Sequence, residues 1–90
     1  MLKVREGFLL RKMMQAHVVV AVGEAGRDFN GMIRLNDIGA WLWQEMQRGI
    51  EHDELLDKML QRYDELTRAE AEADLDAFLQ TVSFALEGEQ

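Results

Sequence analysis

The run Gly31-Met32-Ile33-Arg34-Leu35-Asn36-Asp37-Ile38-Gly39-Ala40-Trp41-Leu42-Trp43 constrains the fold most, because it carries a very short strand directly into a helix. Asn36 is a good N-cap, since its side-chain oxygen can accept a hydrogen bond from an orphan N–H of the first helical turn. Met32 to Leu35 is too short for the middle of a sheet and reads as a strand with one open edge. An open edge beside a helix offers unpaired backbone groups to an added strand.

Ninety residues make one domain, spanning 1–90, near the size at which a single hydrophobic core only just suffices. With 48% hydrophobic residues the chain has enough apolar surface to fold. It has no cysteine, which excludes disulfides, thiolate nucleophiles and a self-ligated iron–sulfur cluster. The opening Met1-Leu2-Lys3-Val4-Arg5-Glu6-Gly7 lacks the apolar core of a signal peptide, and the longest apolar run, Val18 to Val22, is too short to span a bilayer. A soluble, cytoplasmic protein without a membrane partner is expected. The net charge of −7 is unevenly placed: residues 1–48 carry seven basic and five acidic side chains, residues 49–90 three basic and twelve acidic. The second half should repel nucleic acid, whose binding needs clustered Lys and Arg, so no nucleic-acid partner is expected.

Phe8 to Met13 and His17 to Val22 read as a hairpin joined at Met14-Gln15-Ala16. Residues 23–31 hold three of the seven glycines and read as a loop. It is not a phosphate loop, which would end in Gly-Lys-Ser/Thr at a helix start. Three helices are predicted after the third strand. The first runs from Asp37 to about Arg48 and stops at Gly49, with Ile38, Leu42 and Met46 at spacing four. The second runs from about His52 to Tyr63 with Leu55, Leu56, Met59, Leu60 and Tyr63 on one stripe. The third opens on the capping box Thr67-Arg68-Ala69-Glu70, with Ala71, Leu75, Phe78, Leu79, Val82 and Leu86 on one face. The expected fold is α+β, a three-stranded antiparallel sheet followed by three helices whose apolar faces cover it.

Little catalytic chemistry is legible. His17 and His52 belong to no metal spacing, and the carboxylate pairs Glu70/Asp74 and Glu72/Asp76 lack the Glu-x-x-His element of di-metal bundles. No Ser-His-Asp, Cys-His or paired acid/base arrangement stands out, so neither an enzyme nor a cofactor or metal is expected. Trp41, Trp43 and Met46 read as core. On the wheel of the third helix, Glu72, Asp76, Ser83 and Glu87 face water, whereas Asp74, Thr81 and Ala85 lie beside Phe78 and suit a groove wall. Phe84 falls on the outer face of a regular helix. Either the helix changes course near Ser83, or this ring meets another molecule.

Several short segments, in order and spacing, together resemble the PqqD-like family. They are Val4-Arg5-Glu6-Gly7-Phe8, Val22-Gly23-Glu24, Asp28-Phe29-Asn30-Gly31-Met32-Ile33, Leu35-Asn36 with Gly39 and Trp43, Glu54-Leu55 with Tyr63-Asp64, and Ala71-x-x-Asp74-Leu75-x-x-Phe78-Leu79. The resemblance implies a winged-helix-like peptide recognition element. A precursor's leader peptide would add as a strand along Met32, Ile33, Arg34 and Leu35 and face a wall of Asp74, Phe78, Thr81, Val82 and Ala85. It implies a non-catalytic peptide chaperone for ribosomally made, post-translationally modified peptides, presenting the leader-bound precursor to a modifying enzyme, often a radical S-adenosylmethionine (radical SAM) protein. The founding members act in pyrroloquinoline quinone synthesis and have a different N-terminal pattern, so the general role is implied rather than that pathway. Two other readings stand beside it: a winged-helix transcription regulator, which would need a basic recognition helix, and an interaction subunit that recruits an enzyme without touching its substrate.

Overall fold

The structure, a computed structural model, describes residues 1–28 and 31–87. Strands β1 (Phe8–Met13) and β2 (Ala16–Ala21) form an antiparallel hairpin with Met13 paired to Ala16, and Met14 at the turn adopts φ 58°. Strand β3 (Met32–Leu35) pairs antiparallel with β2, placing Leu35 opposite His17 and Met32 opposite Val20. The sheet order is β1-β2-β3, so β3 lies at an edge. A four-residue helix, α1 (Ala25–Asp28), interrupts what reads in the sequence as a loop, closed by Gly26 and Arg27 N–H donating to Gly23 and Glu24 carbonyls. Its buried Ala25 supplies a core contact that glycine content conceals. Phe29 and Asn30, in the remainder of that expected loop, lie outside the described residues.

Helices α2 (Asp37–Met46), α3 (His52–Arg62) and α4 (Arg68–Thr81) follow β3. Helix α2 begins where expected, with the Asn36 side chain accepting from the Gly39 N–H at 2.7 Å. It closes at Gly49, which adopts φ 90° and donates to the Met46 carbonyl. Helix α4 starts on a complete capping box: the Glu70 N–H donates to Thr67 Oγ1 and the Thr67 N–H to Glu70 Oε1. The sheet and helices together make an α+β, winged-helix-like arrangement.

One face of the sheet, carrying Phe8, Val19, Leu35 and the half-buried Leu10 and Ile33, packs against the helices over a core of Leu42, Trp43, Met46, Leu55, Leu56, Met59, Ala71 and Leu75. Strand alternation sends Leu9, Val20 and Met32 to the opposite face, where Met32 is 54% exposed. Of the residues expected in the core, Trp43 and Met46 are fully buried. Trp41 is half-buried instead, set edge-on to Tyr63 at 5.9 Å with the Arg62 guanidinium over both rings.

Helix α4 stops earlier than its apolar periodicity suggests. Thr81 and Ser83 hydroxyls donate back to the carbonyls of Ala77 and Gln80, and the chain tightens into a 3-10 turn at Ser83–Ala85. This change of course carries Phe84 inward onto Phe8, with ring centroids 5.3 Å apart, so its apparent outward position does not survive the bend. The N-terminal segment secures the same region: the Arg5 N–H donates to the Ala85 carbonyl, Arg5 Nη1 to that of Phe84, and Leu2 and Val4 bridge to Ile50 and Leu86.

Candidate functional site

Two neighbouring features make up the site: the outer edge of β3 and a cleft between that edge and α4. Strand β3 pairs only with β2, and no backbone hydrogen bond among the described residues engages its other side. Exposed backbone donors and acceptors of this kind are a template for one more strand. Beside them the cleft encloses about 360 Å³ and is lined by Arg34, Leu35 and Asn36 from the end of β3, by Ile38, Gly39 and Leu42 from α2, and by Asp74, Ala77, Phe78 and Thr81 from α4.

Each wall follows from local sequence. The α4 residues stand at i, i+3, i+4 and i+7, one continuous helical stripe along the cleft. The α2 wall is held by the Asn36 cap, which fixes where the helix leaves β3. The two walls meet at Gly39. A side-chain Cβ there would lie 3.3 Å from Phe78 Cε1, 3.4 Å from Leu35 Cβ and 3.2 Å from Asn36 Oδ1. Absence of a side chain therefore lets the Phe78 ring lie against the first turn of α2. Phe78 is half-buried, part floor of the cleft and part core.

The polar groups divide between the walls. Thr81 spends its hydroxyl on the Ala77 carbonyl at 3.1 Å. Asp74 and Arg34 are exposed, stand on opposite sides of the cleft, and neither forms an ion pair among the described residues. The cleft is thus apolar in its middle with the unengaged Asp74 carboxylate on its α4 side, while Arg34 borders it from β3 on the sheet face that Met32 shares.

Seven of the nine residues expected at the site come together: Met32, Ile33, Arg34 and Leu35 form the edge strand, and Asp74, Phe78 and Thr81 face it. Val82 and Ala85 do not reach the cleft. Both are fully buried members of the core. The apolar face of the third helix already places Val82 on the core side, and the 3-10 turn adds Ala85. Asn36, Ile38, Gly39, Leu42 and Ala77 line the cleft without having been expected there. Ala77 was legible, three residues after Asp74 on one stripe; the α2 residues depend on how that helix packs, which the wheel of α4 cannot report.

Neither histidine is part of this lining. His17 Nε2 is 3.1 Å from Asp37 Oδ1, and His52 contacts Asp53 and, across to α4, Asp76 at 3.6 Å. No cluster of three His, Cys, Asp or Glu among the described residues is placed to hold a metal ion. No described helix is long and apolar enough to cross a membrane.

An open strand edge flanked by a helix-walled apolar cleft defines a small α+β domain of winged-helix-like build. The family described as coenzyme PQQ synthesis protein D (PqqD) matches residues 16–83, and the chain belongs to that family. A solved structure, TbiB1 in complex with the TbiA(beta) leader peptide, is similar with a TM-score of 0.76 over 98% of each chain at 21% sequence identity, so the two share a fold. No curated protein matches the chain.

Proposed function

We propose that this protein is a non-catalytic chaperone that binds the leader segment of a ribosomally made precursor peptide and presents it to a modifying enzyme, often of the radical SAM class. The observation that carries the reading is the unpaired edge of β3 lying directly beside an apolar cleft. Backbone pairing along Met32–Leu35 supplies affinity that does not depend on peptide sequence, and the cleft at Leu35, Ile38 and Phe78 takes alternate side chains and supplies selectivity. Family membership supports the reading, as does the similar fold of TbiB1, itself solved with a leader peptide. The regulator reading fits less well: α4 carries Glu70, Glu72, Asp74 and Asp76 against Arg68 alone, an unfavourable surface for phosphate.

The test is a titration of the isotope-labelled chain with a synthetic leader peptide of a ribosomally made precursor. Amide signals of Met32–Leu35 should shift and gain exchange protection, with further changes at Asp74, Phe78 and Thr81. Perturbations confined to α3 would refute strand addition.

A further inference from the structure

The cleft also describes the peptide it takes. Resting on the strand-addition reading, the spacing of its two walls can be compared directly. Asp74 and Phe78 are four residues apart on α4, about 6 Å along a helix axis, and residues i and i+2 of a strand are about 6.7 Å apart on the same face. A peptide paired with β3 turns alternate side chains inward. For a strand running alongside α4, one inward position would face the apolar centre formed by Leu35, Ile38, Leu42 and Phe78, and the next would face Asp74.

Asp74 is exposed, carries no hydrogen bond or ion pair among the described residues, and is the one carboxylate in the lining. A neutral inward neighbour would cover it with a peptide strand and leave its charge without a partner. Lys or Arg at that position supplies a charge-assisted contact in its place. We infer that the cleft selects extended peptides carrying a large apolar side chain and a Lys or Arg two positions from it, the basic group paired with Asp74.

Randomised 12-residue peptides displayed on phage and panned against the full chain test this, followed by hydrogen exchange on the complexes and a second panning against Asp74→Lys and Glu72→Lys. Asp74 and Glu72 are both exposed on α4, so each substitution adds the same charge to the same helix, but only Asp74 lines the cleft. The expected result is protection of Met32–Leu35 and enrichment of an apolar residue with Lys or Arg two positions away. The Asp74→Lys protein should then select Asp or Glu there while Glu72→Lys keeps the original preference. Asp74→Asn should weaken the enriched peptides roughly three- to tenfold. Peptides that protect β3 but show no basic preference, or the same preference against Asp74→Lys, overturn the Asp74 pairing and leave strand addition standing. Peptides that protect a different surface, or no enrichment at all, overturn strand addition and the pairing with it.

Discussion

Replacing a helical glycine by alanine ordinarily stabilises a protein, and Gly39 is predicted to be an exception. In a helix interior the exchange is worth up to about 1 kcal/mol from backbone entropy, and less in the first turn where Gly39 sits. The added methyl meets three neighbours at once. It would lie 3.2 Å from the capping oxygen of Asn36 and 3.3 Å from the Phe78 ring, both tighter than ordinary van der Waals contact. Displacing the cap costs about 1 kcal/mol, and crowding a packed site typically costs about 1–3 kcal/mol. The losses exceed the gain, so Gly39→Ala should destabilise the fold by about 1–2 kcal/mol, read as a lower urea midpoint at unchanged slope. The ring is the neighbour that matters for the cleft. Phe78→Leu removes the ring edge, so a double-mutant cycle should show that Gly39→Ala costs less in that background. A stabilised Gly39→Ala protein, or additive effects of the two substitutions, would refute the idea that a missing side chain seats Phe78.

Leu42→Ala should cost about 2–5 kcal/mol in chemical denaturation, because Leu42 is fully buried where α2 meets the cleft and its loss opens a cavity beneath Ile38 and Phe78. Double-stranded DNA at low salt should form no saturable complex in a gel-shift or anisotropy titration; tight, salt-sensitive binding would revive the regulator reading.

The sequence exposes those parts of the fold that depend on local chemistry. The Asn36 cap, the Thr67/Glu70 capping box and the period of apolar residues locate the helix starts, because each device acts within four residues. The short helix at Ala25 was hidden because its only strong signal is one small buried side chain among glycines. The early end of α4 was hidden for a related reason. Thr81 and Ser83 are compatible with a helix until their hydroxyls bond backward, and periodicity records where apolar residues fall, not which carbonyl a hydroxyl will choose. The same limit divides the site: Asp74, Phe78 and Thr81 follow from one helical stripe, whereas Gly39 matters only once Phe78 has been brought across from α4.

The bend that removes Val82 and Ala85 from the cleft also bears on how a peptide would bind. Those two residues are fully buried, and Phe84 and the Arg5 contacts close over them, so the C-terminal end of α4 is fixed to the hairpin and the N-terminal segment. One turn earlier, Phe78 and Thr81 still face the cleft. Asn36 holds the opposite wall at its own helix start. The α4 wall is therefore anchored outside the cleft, whereas the α2 wall is held by the Asn36 cap within the cleft's own lining. In the proposed binding mode, ordering costs would fall mainly on the peptide rather than on the protein, and preorganisation of that kind raises affinity without adding a contact. It also means that substitutions at Val82 or Ala85 should act on binding through the position of α4, not through lost contact with the peptide.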